Sequence, residues 1–183
     1  MAPMPWTWLR QVHGADIVVA ATPGAGAGRE ADAAMTAVPG AAVAVQVADC
    51  APLLLVGAGS VAVLHVGWRG LVAGVVEATA RAMAELGSPA RAAVLGPCIR
   101  PRCYEFGEAD LATVAGAYGD GVRSCTAAGR PALDLAAGVA AACARLRIEL
   151  DDTGTCTACS PRHFSHRARG ERGRQALVAW LAP

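Results

Sequence analysis

The chain has 183 residues, enough for one domain that buries roughly 70% of its unfolded surface. Hydrophobic residues make up 54% of it and aromatic residues only 4%, so the core must be built from Val, Leu and Ala in closely packed layers. A net charge of +1 gives no global attraction to nucleic acid or to an acidic membrane, and no apolar run approaches the ~18 residues that span a bilayer.

Met1–Arg10 has no cationic stretch followed by an apolar one, so it does not read as a secretory leader. Thr22–Arg29 is a Gly-x-Gly-x-Gly loop. A dinucleotide-binding turn would need a long helix after it, and Pro39-Gly40 interrupts the chain too soon for one. Ala41–Val47 predicts a short strand buried on both faces. Leu53–Val56 and Ser60–Val66 predict two more, joined by a turn at Gly57-Ala-Gly59. From Leu71 to Leu86 the period becomes helical: Val72, Val75, Val76, Thr79, Met83 and Leu86 share a face, and Gly87 and Pro89 stop the helix. Ala92–Leu95 predicts a strand, Gly96–Gly107 a loop, and Glu108–Tyr118 a weak helix. Asp134–Leu146 predicts a firmer helix with Asp134 as its cap or first-turn acid, and Gln175–Leu181 a last strand. The mixture has no strict alternation, repeat or linker, and predicts one α/β or α+β domain over residues 1–183.

Seven cysteines, an odd number without the spacing of a disulfide framework, predict reduced thiols and a cytoplasmic location. Three stretches are hard to explain by packing alone: Gln11-Val-His13-Gly14, Ala48-Asp49-Cys50-Ala51-Pro52, and His65-Val-Gly67-Trp68-Arg69-Gly70. The last two lie at strand ends, where a sheet fixes side chains and loops admit ligand. Cys50 and His65 flank one predicted hairpin. Two imidazoles and one thiolate, from His13, Cys50 and His65, suit zinc, and three ligands leave the fourth position open as catalysis requires. Zinc would bring the pKa of water in that position to about 7. The same atoms suit metal-free chemistry with Cys50 as nucleophile and His65 as its base, and the pattern does not separate the two. Asp49 is a candidate hydrogen-bond partner for His13 or His65, although neighbouring strand residues point to opposite faces.

These motifs resemble the signature of the YfiH/laccase-domain family, also described as polyphenol oxidase-like, as purine nucleoside phosphorylase and as peptidoglycan-editing factor. Further matches follow in order: Ala31-Asp32 with Thr36, Gly96-Pro97-x-Ile99, Tyr104-Glu105-x-Gly107, Leu133-Asp134-Leu135, Cys156-Thr157, Phe164-Ser165-x-Arg167 and Gly173-Arg174. The resemblance implies a layered α/β/β/α fold related to certain cysteine hydrolases, and zinc held by His13, Cys50 and His65. It also implies phosphorolysis of adenosine, inosine, guanosine and methylthioadenosine, and deamination of adenosine. Purine nucleoside and phosphate are then the small-molecule partners. Arg69, and after it Arg167, are the candidate phosphate ligands, because guanidinium groups present planar paired donors. Two alternatives remain open: a cysteine-dependent amide hydrolase that edits peptidoglycan precursors, and a non-catalytic binding relative. A multicopper oxidase needs a blue-copper set and a separate cluster, hence more imidazoles than His13, His65, His163 and His166.

Two departures from the family pattern stand out. Members usually carry a segment with Asn and Arg residues before Gln-x-His-Gly, whereas this sequence starts almost at that motif. His166 stands where the family has Tyr. The basic run of Arg162, Arg167, Arg169, Arg172 and Arg174 reads as phosphate-binding or solvated surface rather than as a nucleic-acid site. Cys156-x-x-Cys159 has the spacing of two ligands in a four-cysteine zinc site with Cys98 and Cys103, a weak signal by itself. Cys125 and Cys143 read as small buried hydrophobes.

Overall fold

The computed structural model describes residues 4–182; Met1–Pro3, where the stretch read for a leader begins, and Pro183 lie outside the described residues. The chain opens with three short strands, β1 (Trp6–Trp8), β2 (Ile17–Val19) and β3 (Ala33–Thr36). The apolar runs then form β4 (Ala42–Val47), β5 (Ala51–Val56) and β6 (Val61–Val66). Two helices follow, α1 (Trp68–Val72) and α2 (Val75–Glu85), and then β7 (Ala92–Leu95) and α3 (Glu108–Tyr118). The last third holds β8 (Arg123–Cys125), β9 (Pro131–Leu133), α4 (Leu135–Arg145), β10 (Glu149–Asp152), α5 (His166–Arg169) and β11 (Gln175–Ala179).

Six strands make one mixed sheet in the order β10-β7-β5-β6-β3-β2, parallel at its two outer pairs and antiparallel between them. A three-stranded sheet, β1-β4-β11, packs against it, and helices α2 and α4 cover the opposite face. Strand β6 is buried at every position, so its side chains divide between two cores. Ala62, Leu64 and Val66 face the helices, while Val61 and Val63 meet Val43 and Val45 of β4 between the sheets. Truncating fully buried Leu64 to Ala would cost about 2–5 kcal/mol. The expected mixed α/β domain with mixed sheets is borne out.

The helix read from Leu71 to Leu86 is two helices. The chain breaks at Gly74, whose φ of 82° is left-handed and costs glycine little. Val75, Val76, Thr79 and Met83 are buried as the period requires, but Leu86 is 50% exposed because α2 ends before it. Asp134 caps α4, its carboxylate accepting from the Ala137 N–H at 2.9 Å. The glycine loop runs from β2 toward β3 with no helix behind it. Cys143 is buried as expected, whereas Cys125 is exposed, because β8 and β9 form a small ribbon apart from both sheets.

Candidate functional site

Sheet register begins the site. β3 and β6 are antiparallel with Ala33 opposite Leu64, so one step further Asp32 comes opposite His65, whose N–H donates to the Asp32 carbonyl. On β5, Pro52 pairs with His65, which puts Cys50 just past the strand end beside the same imidazole. His13 arrives from the loop between β1 and β2. The Gln11 amide anchors that loop by donating to the Gln46 carbonyl and accepting from the Gln46 N–H on β4, at 2.7 and 2.8 Å.

The result is that His13, Cys50 and His65 converge, with one potential ligand atom from each lying within 4.8 Å of the others. The two imidazoles meet edge to face, ring centres 4.7 Å apart. Gly67 lines the cluster. A Cβ there would lie 2.4 Å from His13 Nδ1 and 3.3 Å from Cys50 Sγ, so the absence of a side chain keeps the nitrogen and sulfur accessible.

Asp32 organises this cluster. Its fully buried carboxylate accepts from the N–H groups of Val12, His13 and Gly14 at 3.1, 3.0 and 2.7 Å, and it bonds His65 Nδ1 at 2.7 Å. Those amides hold His13 at φ 59°, a left-handed conformation unfavourable for a residue with a side chain. Burial works against ionisation of Asp32, but the His65 bond and the amides outweigh it and keep the carboxylate below its ordinary pKa. Burial likewise opposes the charged form of His65, yet Asp32 and the Cys50 thiol prevail and raise it to about 9. His13 moves the other way, lowered by burial and by the neighbouring His65 charge.

Asp49 bonds neither imidazole. Its carboxylate accepts from Thr157 Oγ1 at 2.6 Å, Ser165 Oγ at 2.7 Å and the Arg167 N–H at 2.6 Å. Because Asp49 stands at φ 91°, its side chain turns toward the C-terminal segment while Cys50 turns toward the histidines. The partner sought for His65 is Asp32, a residue that belonged to the quoted Ala31-Asp32 motif but had no assigned role. Strand pairing between β3 and β6 was the signal that could have found it.

A cavity of about 330 Å³ adjoins the cluster, lined by His13, Cys50, Trp68, Arg69, Tyr104 and Arg167 among others. Arg69 and Arg167, predicted from motif position, therefore reach the same space as Cys50. Each guanidinium rests over an aromatic ring, Arg69 on Trp68 at 4.4 Å and Arg167 on Tyr104 at 5.2 Å from the ring centre. Burial, more than the nearby Cys50, pushes the Tyr104 hydroxyl up to about 12, so it is a neutral donor at ordinary pH. A second cavity of about 310 Å³ opens on the other side of His13 and Cys50, where Gln11, Gln46, His65 and Arg174 line it. His166 faces both cavities. His163 stands apart, bonding Ser160 Oγ through Nδ1. Of the basic run, Arg169 is spent on the chain itself, donating to the carbonyls of Thr157, Ala158 and His163.

The family described as multi-copper polyphenol oxidoreductase laccase matches residues 1–182. A purine nucleoside phosphorylase of Streptomyces coelicolor is 46% identical to this chain over 95% of it and 74% of its own length. One of Mycobacterium tuberculosis is 38% identical over 95% of this chain and 71% of its own. Among solved structures, the Neisseria meningitidis protein NMB0706 has a TM-score of 0.87 at 29% identity, covering 98% of this chain and 76% of its own. YlmD of Geobacillus stearothermophilus has a TM-score of 0.82 at 26% identity, over 97% and 74%. The chain thus belongs to the laccase-like YfiH family, in which the two curated relatives above carry the name purine nucleoside phosphorylase.

Proposed function

We propose that the chain is a zinc-dependent enzyme of purine nucleosides, cleaving adenosine, inosine, guanosine and methylthioadenosine with phosphate and deaminating adenosine. The observation that carries the reading is the convergence of His13, Cys50 and His65 at an arginine-flanked cavity; the names of the relatives support the phosphorolysis. Two imidazoles and a thiol are a borderline-soft donor set that suits zinc, and the space kept by Gly67 leaves nitrogen and sulfur free to bind it. When bound, zinc supplies a Lewis acid and a source of hydroxide near neutral pH, which displacement of the adenosine 6-amino group requires.

Asp32 accepts the Nδ1–H of His65 and leaves the other ring nitrogen as the lone-pair donor, fixing tautomer and ring orientation together. Arg69 and Arg167 bind phosphate through paired N–H groups. In the reaction a phosphate oxygen attacks C1′ of the ribose, the C1′–N9 bond breaks, and the base departs with that electron pair. The arginines hold the attacking oxygen in line, and Trp68 and Tyr104 brace them. A cytoplasmic location fits the seven unpaired cysteines, and no helix among the described residues is long and apolar enough to cross a membrane.

The decisive experiment is turnover of adenosine and inosine with and without phosphate, products resolved by chromatography, alongside metal analysis of wild type and Cys50→Ser. Free base and ribose 1-phosphate formed only with phosphate support the reading; no turnover of any nucleoside by zinc-loaded protein overturns it. Arg69→Ala should raise the KM for phosphate at least tenfold, and an unchanged KM would withdraw that role. A second reading has its own observation: Cys50, His65 and Asp32 lie in a nucleophile–base–carboxylate series. It predicts a cysteine-dependent amide hydrolase acting on peptidoglycan precursors, at full rate in chelator.

A further inference from the structure

One other group of side chains among the described residues brings three metal-binding atoms together. Cys103 sits in a 3-10 turn after β7, while Cys156 and Cys159 occupy the loop after β10, and the three sulfurs lie within 4.8 Å of one another. The backbone brings them there. β10 runs parallel to β7, and beyond the strand ends the pairing continues: Cys98 N–H donates to the Thr155 carbonyl and Thr157 N–H to the Cys98 carbonyl. Arg100 and Asp152 clamp the same junction with a two-pronged ion pair.

Three features favour an ion over a chance meeting of thiols. The Cys103 and Cys159 sulfurs are 3.4 Å apart. Two thiolates on one tetrahedral zinc, at Zn–S of about 2.3 Å, stand about 3.8 Å apart, so little movement is needed. Second, the Cys156-Thr157-Ala158-Cys159 turn, closed by Ser160 N–H on the Cys156 carbonyl, aims main-chain amides at the first sulfur. A cation held by the three sulfurs would displace their thiol protons to solvent. Third, Cys159 is exposed and the other two are half-buried, so an ion can enter.

We propose that Cys103, Cys156 and Cys159 hold a second thiophilic divalent cation, zinc, that staples the loop after β10 to the loop after β7. Cys98 takes no part: it is buried in the core and lies outside the group of three converging sulfurs. The fourth position is therefore left to solvent. Thr157, between two of the ligands, donates to Asp49, so the staple stiffens the residue preceding Cys50.

The test titrates metal-free, fully reduced protein with cobalt(II) and then zinc, counting equivalents and following the sulfur-to-cobalt charge-transfer absorption, which grows with the number of thiolates bound. Wild type should bind two equivalents. Cys50→Ser should retain the thiolate-rich site and its strong absorption. Cys103→Ser and Cys159→Ser should each lose most of that absorption yet keep the other site, with unchanged circular dichroism. Wild-type stoichiometry that Cys103→Ser and Cys159→Ser leave unaltered would overturn the proposal. So would a Cys103–Cys159 disulfide, found by mass spectrometry, in protein isolated anaerobically without metal. Neither result depends on whether nucleosides are turned over.

Discussion

Gly67→Ala tests the cluster by adding one methyl group and removing no donor. Gly67 has φ −82° and ψ 166°, which alanine adopts freely, so the backbone is not strained. The new carbon would lie 2.4 Å from His13 Nδ1, whereas non-bonded heavy atoms settle near 3.5 Å, a deficit of about 1 Å. His13 is exposed and its ring can swing outward, so fold stability should change by less than about 1 kcal/mol. Displacement of a reacting group by about 1 Å costs on the order of 10²-fold in rate. The variant should therefore lose about 100-fold in kcat/KM for phosphorolysis and bind zinc at least tenfold more weakly in chelator competition, with an unchanged urea midpoint. Wild-type zinc affinity and turnover in the folded variant would refute the assignment of His13 to the site.

Asp32→Asn keeps the shape but sets an amide donor among groups that are themselves donors. Zinc affinity should fall 10–100-fold by chelator competition, and stability by about 1–3 kcal/mol in urea; no change in either would mean that Asp32 does not orient His65. Asp49→Ala leaves the Thr157, Ser165 and Arg167 donors without their acceptor and should cost about 3 kcal/mol or more in denaturant titration. A loss under about 0.5 kcal/mol would show that the carboxylate does not tie the segments together. Arg100 holds the Asp152 carboxyl below its ordinary range, chiefly through their hydrogen bond. A depressed folded pKa contributes stability above the unfolded pKa near 4 that is lost as pH falls through the folded value. Wild type should thus exceed Asp152→Asn by up to about 1 kcal/mol at pH 6 and converge on it below pH 4, measured by thermal melts. A pH-independent gap would contradict the pairing.

The buried strands β4, β5 and β6 were legible because each is a continuous apolar run, and α2 because its apolar positions recur at helical spacing. β1, β2 and β3 were not read. Three or four residues are too few to establish a period, and their strand character comes from pairing with distant partners. The polar sequence of β10 carries no apolar alternation to mark it as a strand, yet it completes the sheet edge beside β7. Within the site, His13, Cys50 and His65 stood out as residue types that packing does not require, whereas Arg69 and Arg167 came from their motif positions. The partners of Asp32 and Asp49 were hidden because a carboxylate's bonds depend on strand register and on backbone sign. Asp49 has a left-handed backbone, so the alternation of faces along a strand does not govern where its side chain points.

The clamp on Asp49 has a bearing on how the protein matures. Its hydroxyl and amide partners lie 108 to 118 residues further along the chain. A ribosome-bound chain that has released His13, Cys50 and His65 still lacks the segment that fixes the turn before Cys50. On the proposed reading, metal capture at full strength is then a late event in biosynthesis, following release of the C-terminal residues rather than emergence of the three side chains themselves.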